Sequence, residues 1–176
     1  KMFACEHYDI APDIMTMAKA ITNAAQPMGA VAVSDRIHDT VMAAAQEGAI
    51  EFFHGYTYSG HPAACAAGLA TLDIYRDEGL FERARELAPY FQQAMFSLRG
   101  TPHITDIRGY GMFAAFDVES DGVPGRRGHL LQKKLFDNGL NLKTTGDCAL
   151  IAPPLIAEKD HIDVIADILR KTVSAL

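Results

Sequence analysis

Lys19 closes the apolar run Ile14-Met15-Thr16-Met17-Ala18, and the segment after it leads to a second apolar run, Gly29-Ala30-Val31-Ala32-Val33. Two short β-friendly runs separated by a lysine and a loop predict strand, lysine, loop, strand. Continuous apolar runs of this kind suit strands covered on both faces. A lysine held where such a strand ends loses hydration, which favours its neutral amine. That amine can attack a carbonyl and form a Schiff base. Most lysines are solvated surface charges, so placement alone leaves both readings open.

A second chemical candidate is Thr57, in His54-Gly55-Tyr56-Thr57-Tyr58-Ser59-Gly60-His61-Pro62, just ahead of a helix expected from Pro62. The unpaired N–H groups and positive dipole end of that helix attract an anion, and the Thr57 hydroxyl could add a donor. Thr57 and Ser59 could equally cap the helix, and local chemistry favours that simpler role. His54 and His61, with Glu51 and Cys65 nearby, match no zinc-ligand pattern, so no metal is expected. Gly109-Tyr110-Gly111 lacks the third glycine of a dinucleotide turn. It reads as a bend entering a strand, with Arg108 structural.

The pattern AK-x-x-TN-x-x-x-PMGAV from Ala18 to Val31, followed by HGYTYSGHP, resembles the class III pyridoxal-phosphate aminotransferases. Within them it is similar to the omega-amino-acid:pyruvate branch, which includes beta-alanine:pyruvate aminotransferases. The resemblance runs in order over nearly the whole chain. It implies an α/β fold: the end of a fold-type-I large domain over residues 1–78, then a small α+β C-terminal domain over 79–176. It also implies that the chain is the C-terminal portion of a longer enzyme. The ring-nitrogen acid, the stacking aromatic and the main glycine-rich phosphate turn would all precede Lys1.

By this resemblance Lys19 is the catalytic Schiff-base lysine for pyridoxal 5'-phosphate, and its freed amine shuttles the substrate proton. Tyr56 and Thr57 belong to the cofactor-binding segment. The family's threonine here binds the phosphate of the neighbouring subunit's cofactor, which implies a homodimer with shared active sites. Lys143-Thr144-Thr145-Gly146-Asp147, with Pro153-Pro154 beyond, resembles the substrate-carboxylate segment. Arginine is usual where Lys143 stands. A lysine offers a point charge in place of a two-pronged fork, and a solvated strand-end lysine is the other reading. Ala24 stands where relatives commonly have glycine. The implied reaction moves an amino group from an omega-amino acid or amine to a keto acid, pyruvate. The alternatives are an aminomutase or decarboxylase on the same fold, or an inactive fragment serving as a dimerisation or binding module.

Bulk properties narrow the partners. A net charge of −6 over 176 residues argues against a nucleic-acid partner, which would favour a basic face. No apolar run is long enough to span a membrane, and no signal peptide heads the chain. Cys5, Cys65 and Cys148 are an odd number without a CxxC pair, which reads as free buried thiols in the cytoplasm.

The supporting elements follow from periodicity. Asp35 to about Ala45 is a helix candidate. Pro62 opens a buried helix of small residues that ends at Gly79. Leu80 to Leu98 carries apolar residues at helical spacing, with Pro89 expected to kink or split it. Met112, Ala114, Phe116 and Val118 alternate as in a half-buried strand. Glu119–Gly128 reads as a surface loop and His129–Asn138 as a helix stopped by Gly139. Leu140–Lys143 and Ala149–Ala152 are short strands, and Ile162, Ile165, Ile168 or Leu169, Val173 and Leu176 stripe a final helix.

Overall fold

The two apolar runs around Lys19 form strands β1 (Ile14–Ala18) and β2 (Gly29–Val33). The computed structural model describes residues 1–49 and 57–176, in two compact units, Lys1–Gly79 and Leu80–Leu176. In the first unit β1 and β2 pair antiparallel, Met15 opposite Ala32 and Ala18 opposite Gly29. The expected cover on both faces is not found: neither strand contains a buried residue, and Ile14 and Val31 are exposed. A two-stranded ribbon has two free edges, and its faces are buried only where another layer lies on them.

Helix α1 (Asp35–Ala43) follows β2 directly. Asp13 ties its start to the entry of β1, accepting from Ser34 Oγ at 3.0 Å and pairing with Arg36 at 3.0 Å. Helix α2 (Pro62–Asp77) begins with proline in its first turn, where the missing N–H costs nothing. It buries only Ala64, Gly68 and Thr71, while Leu69, Leu72 and Ile74 are exposed, so the expectation of a buried helix is corrected.

The second unit is a four-stranded antiparallel sheet with helices on one face. Strands β3 (Ile104–Tyr110), β4 (Phe113–Val118), β5 (Lys143–Thr145) and β6 (Cys148–Ile151) lie in the order β3-β4-β6-β5. Strand β3 was not expected: Gly109 and Tyr110 end it, paired with Ala114 and Phe113, and the turn into β4 runs through Gly111, at φ +57°. Helices α3 (Leu80–Phe96), α4 (Arg126–Asp137) and α5 (Lys159–Ser174) bring Phe91, Met95, Leu131, Leu135, Ile162, Leu169 and Val173 onto Phe116 and Ile151. Helix α3 continues through Pro89, which removes one backbone bond while Phe91 and Met95 stay anchored in the core. Helix α4 starts at Arg126, inside the stretch read as loop. Among the described residues no helix is long and apolar enough to cross a membrane.

Candidate functional site

Lys19 stands where β1 turns into a short 3-10 turn, Lys19–Ile21. Its backbone is left-handed, φ +59°, while Ala18 before it is extended. That conformation costs a side-chain-bearing residue roughly 1–2 kcal/mol, and glycine would adopt it freely. The turn is well supported. The Thr22 hydroxyl, buried, donates to Gln26 O at 2.6 Å, and Tyr75 Oη of α2 donates to Ala20 O at 2.9 Å. A side chain at Gly68 of α2 would reach Ile21 O at 3.5 Å and Met28 Sδ at 3.7 Å, so α2 rests directly on this turn.

Lys19 itself is exposed, which corrects the desolvation argument. Its ammonium has no ion-pair or hydrogen-bond partner among the described residues, so no contact there occupies it. Asn23 (φ +48°) and Ala24 (φ +60°) continue the left-handed bend. Glycine would adopt the Ala24 conformation more freely.

Thr57 lies in an exposed turn through Gly60. Helix α2 is capped at His61, whose side chain makes no capping bond, so neither Thr57 nor Ser59 occupies the cap position. Tyr56, with Glu51 and His54, lies outside the described residues. Among the described residues no cluster of His, Cys, Asp and Glu stands ready for a metal. Cys5, Cys65 and Cys148 are free and half-buried rather than buried.

Lys143 is in the second unit, at the exposed start of the edge strand β5. The register aligns Arg108, Ala115, Leu150 and Lys143 in one row across the sheet. Paired residues share a face, so the row lies opposite the helices, since its neighbours Phe116 and Ala149 point into the core. Lys143 has no ion pair among the described residues.

Arg108, at the other end of that row, is fully engaged. It pairs with Asp106 at 2.6 Å and Asp117 at 2.9 Å, and donates to Cys148 Sγ at 3.2 Å. Its hydrogen bond holds the Asp117 carboxyl below the usual aspartate range, and Asp117 with Asp106 pushes the guanidinium up. Burial and the Asp117 carboxylate push the Cys148 thiol up. This network occupies the Arg108 guanidinium, while Lys143 in the same row has no ion pair among the described residues. Sequence reasoning missed Asp147, the acidic end of the Lys143 segment. It accepts from the backbone N–H of Gly128 at 2.9 Å and Gly125 at 3.1 Å, capping α4 from a distant turn.

The sequence profile described as Aminotransferase class-III matches residues 1–173. An omega-aminotransferase of Caulobacter vibrioides is 48% identical over 172 residues, covering 97% of this chain and 39% of that protein. A beta-alanine–pyruvate aminotransferase of Pseudomonas aeruginosa is 39% identical over 173 residues, again 97% of this chain and 39% of that protein. Among solved structures, an (S)-enantioselective omega-transaminase from Thermomicrobium roseum is similar with a TM-score of 0.88 at 34% identity, covering 99% of this chain and 40% of its own. The chain thus spans well under half the length of these relatives.

Proposed function

This chain belongs to the class III aminotransferase family, and from that premise we propose that the whole protein moves an amino group from an omega-amino acid or amine to pyruvate. Its two units are a part of the fold-type-I aminotransferase architecture. The observation that carries the reading is Lys19: a left-handed lysine, unpaired among the described residues, where a glycine would cost less. Strain kept at a reactive residue points to function.

Pyridoxal phosphate supplies this family's electron sink. The donor set of this chain fits it in part: an available amine at Lys19 and, near the start of α2, the Thr57 hydroxyl. Lys19 Nζ would be the group that holds the cofactor, as a Schiff-base amine. As a free amine, Lys19 Nζ would hold and move the proton on the substrate carbon that bears nitrogen. Tyr56 and Thr57 form the second cofactor segment, with Thr57 on the phosphate held by another copy of the protein, so the active unit is a homodimer. Lys143 receives the substrate carboxylate with a single charge. The large-domain part is 1–78 and the small domain 79–176. Three free cysteines support a reducing, cytoplasmic setting.

The test is borohydride reduction of the holoenzyme followed by peptide mapping. The pyridoxyl label is expected on Lys19. A label on another lysine with Lys19 unmodified overturns the assignment.

A further inference from the structure

Strand β5 has three residues and lies at the edge of its sheet, paired among the described residues only to β6. Short edge strands fray, because one side of their backbone has no ladder. Yet Lys143 opens this strand, and a charge that must meet a carboxylate needs a fixed origin. What holds β5 comes from behind, from α4. The Gln132 side-chain amide spans the residues on either side of Lys143: its Nε2 donates to Leu142 O at 3.1 Å, and its Oε1 accepts from Thr144 Oγ1 at 3.0 Å. The alternation of β5 explains the geometry. Thr144 sits in the row of Phe116 and Ala149, on the helix face, while Lys143 sits in the row of Leu150 and Ala115, on the opposite face. Gln132 therefore grips the strand on one side while Lys143 is presented on the other.

A second attachment closes the far end of the hairpin. Asp147 uses both carboxylate oxygens on the N–H groups of Gly125 and Gly128, at the start of the same helix. Gly128 admits this approach only as glycine, since a side chain there would overlap the Gly146 carbonyl. The β5–β6 hairpin is thus fixed to α4 at two points, one of them bracketing Lys143.

We propose that Gln132 is a positioning residue for the substrate carboxylate: it holds β5 at Leu142 and Thr144 so that Lys143 projects from a fixed backbone. This rests on the reading of Lys143 as the carboxylate contact.

The experiment uses the whole holoenzyme with two donors of equal chain length, β-alanine and n-propylamine, and pyruvate as acceptor. Donor kcat/KM isolates the half-reaction of the donor. Gln132→Leu, which loses both bonds, should lower kcat/KM for β-alanine about tenfold through KM and leave n-propylamine unchanged. Thr144→Val, which loses one bond and keeps the volume, should show a smaller effect of the same kind. Hydrogen exchange of the peptide 140–147 should rise about tenfold in Gln132→Leu while 162–173 stays protected. In a Lys143→Ala background, Gln132→Leu should have no further effect on β-alanine. Unchanged exchange of 140–147 overturns the clamp itself. Raised exchange with equal losses for both donors, or a further β-alanine loss in the Lys143→Ala background, overturns positioning through Lys143. If Lys143→Ala alone leaves the donor preference unchanged, the carboxylate reading of Lys143 fails, and the role of Gln132 in it fails too, whatever the exchange shows.

Discussion

The two units treat similar apolar content in opposite ways. Leu80–Leu176 closes a core around Phe91, Phe116, Leu131, Ile162 and Leu169, all with essentially no exposure. In Lys1–Gly79, Ala64 is the only buried apolar residue among those described, while Ile14, Val31, Leu69 and Leu72 are exposed. Apolar patterning says that a surface wants covering, and only the rest of the fold says what covers it. The candidate reactive lysine lies in the open unit, held by a few local bonds. The candidate carboxylate contact lies in the closed one, held by an entire helix.

The largest expected difference is in side-chain truncation. Phe116→Ala should cost about 3–5 kcal/mol, the range for emptying a packed aromatic site, whereas Leu69→Ala should stay within about 0.5 kcal/mol. Urea denaturation of the 176-residue chain measures both. Equal costs would break the contrast between the units.

Next comes Gly128→Ala, expected to destabilise by about 1–3 kcal/mol because the new methyl meets backbone at Gly146 rather than a movable side chain. A shift in Tm reads it. The same substitution at Gly60, where a Cβ would meet nothing, separates the cost of overlap from that of a left-handed backbone.

In the open unit the strained bend gives an effect of opposite sign. Ala24→Gly should stabilise by about 0.5–1 kcal/mol, the relief of a left-handed alanine less the extra chain entropy of glycine. Lys19→Gly should gain a similar amount while abolishing transamination. If neither gains stability, the bend is not strained.

The smallest effect is electrostatic. Asp117 has its pKa depressed by Arg108, so the pair contributes fully at neutral pH, and its contribution is lost as pH falls through that lowered pKa, under the usual aspartate range. For an exposed pair solvent screening keeps this contribution small. Arg108→Gln should therefore destabilise at pH 7 and converge on the parent in acid, as read by urea midpoints. A gap that widens in acid would contradict the sign.

Much of the molecule was legible in the order of residues. The stripe Ile162, Leu169, Val173 marks α5, the alternation Ala114, Phe116, Val118 marks β4, and Gly139 at φ +86° stops the helix before it. The motif around Lys19 resembles the family's lysine segment and suggests an amine chemistry. Each of these signals is local: a period, a stop, a motif.

Tertiary structure decided the rest, where the cause lies far off in sequence. Strand β3 escaped notice because its register shifts between Ile104 and Asp106, which breaks the alternation that marks a strand. Helix α4 begins earlier than expected because its cap is Asp147, from a turn beyond the helix, so no local capping residue announces Arg126. Lys19 is exposed and left-handed because a ribbon and a 3-10 turn place it so, and neither burial nor φ is written in the residue type. Lys143 shares a row with Arg108 only because three strand pairings bring them into register, and a pairing between distant strands has no trace in the spacing along the chain.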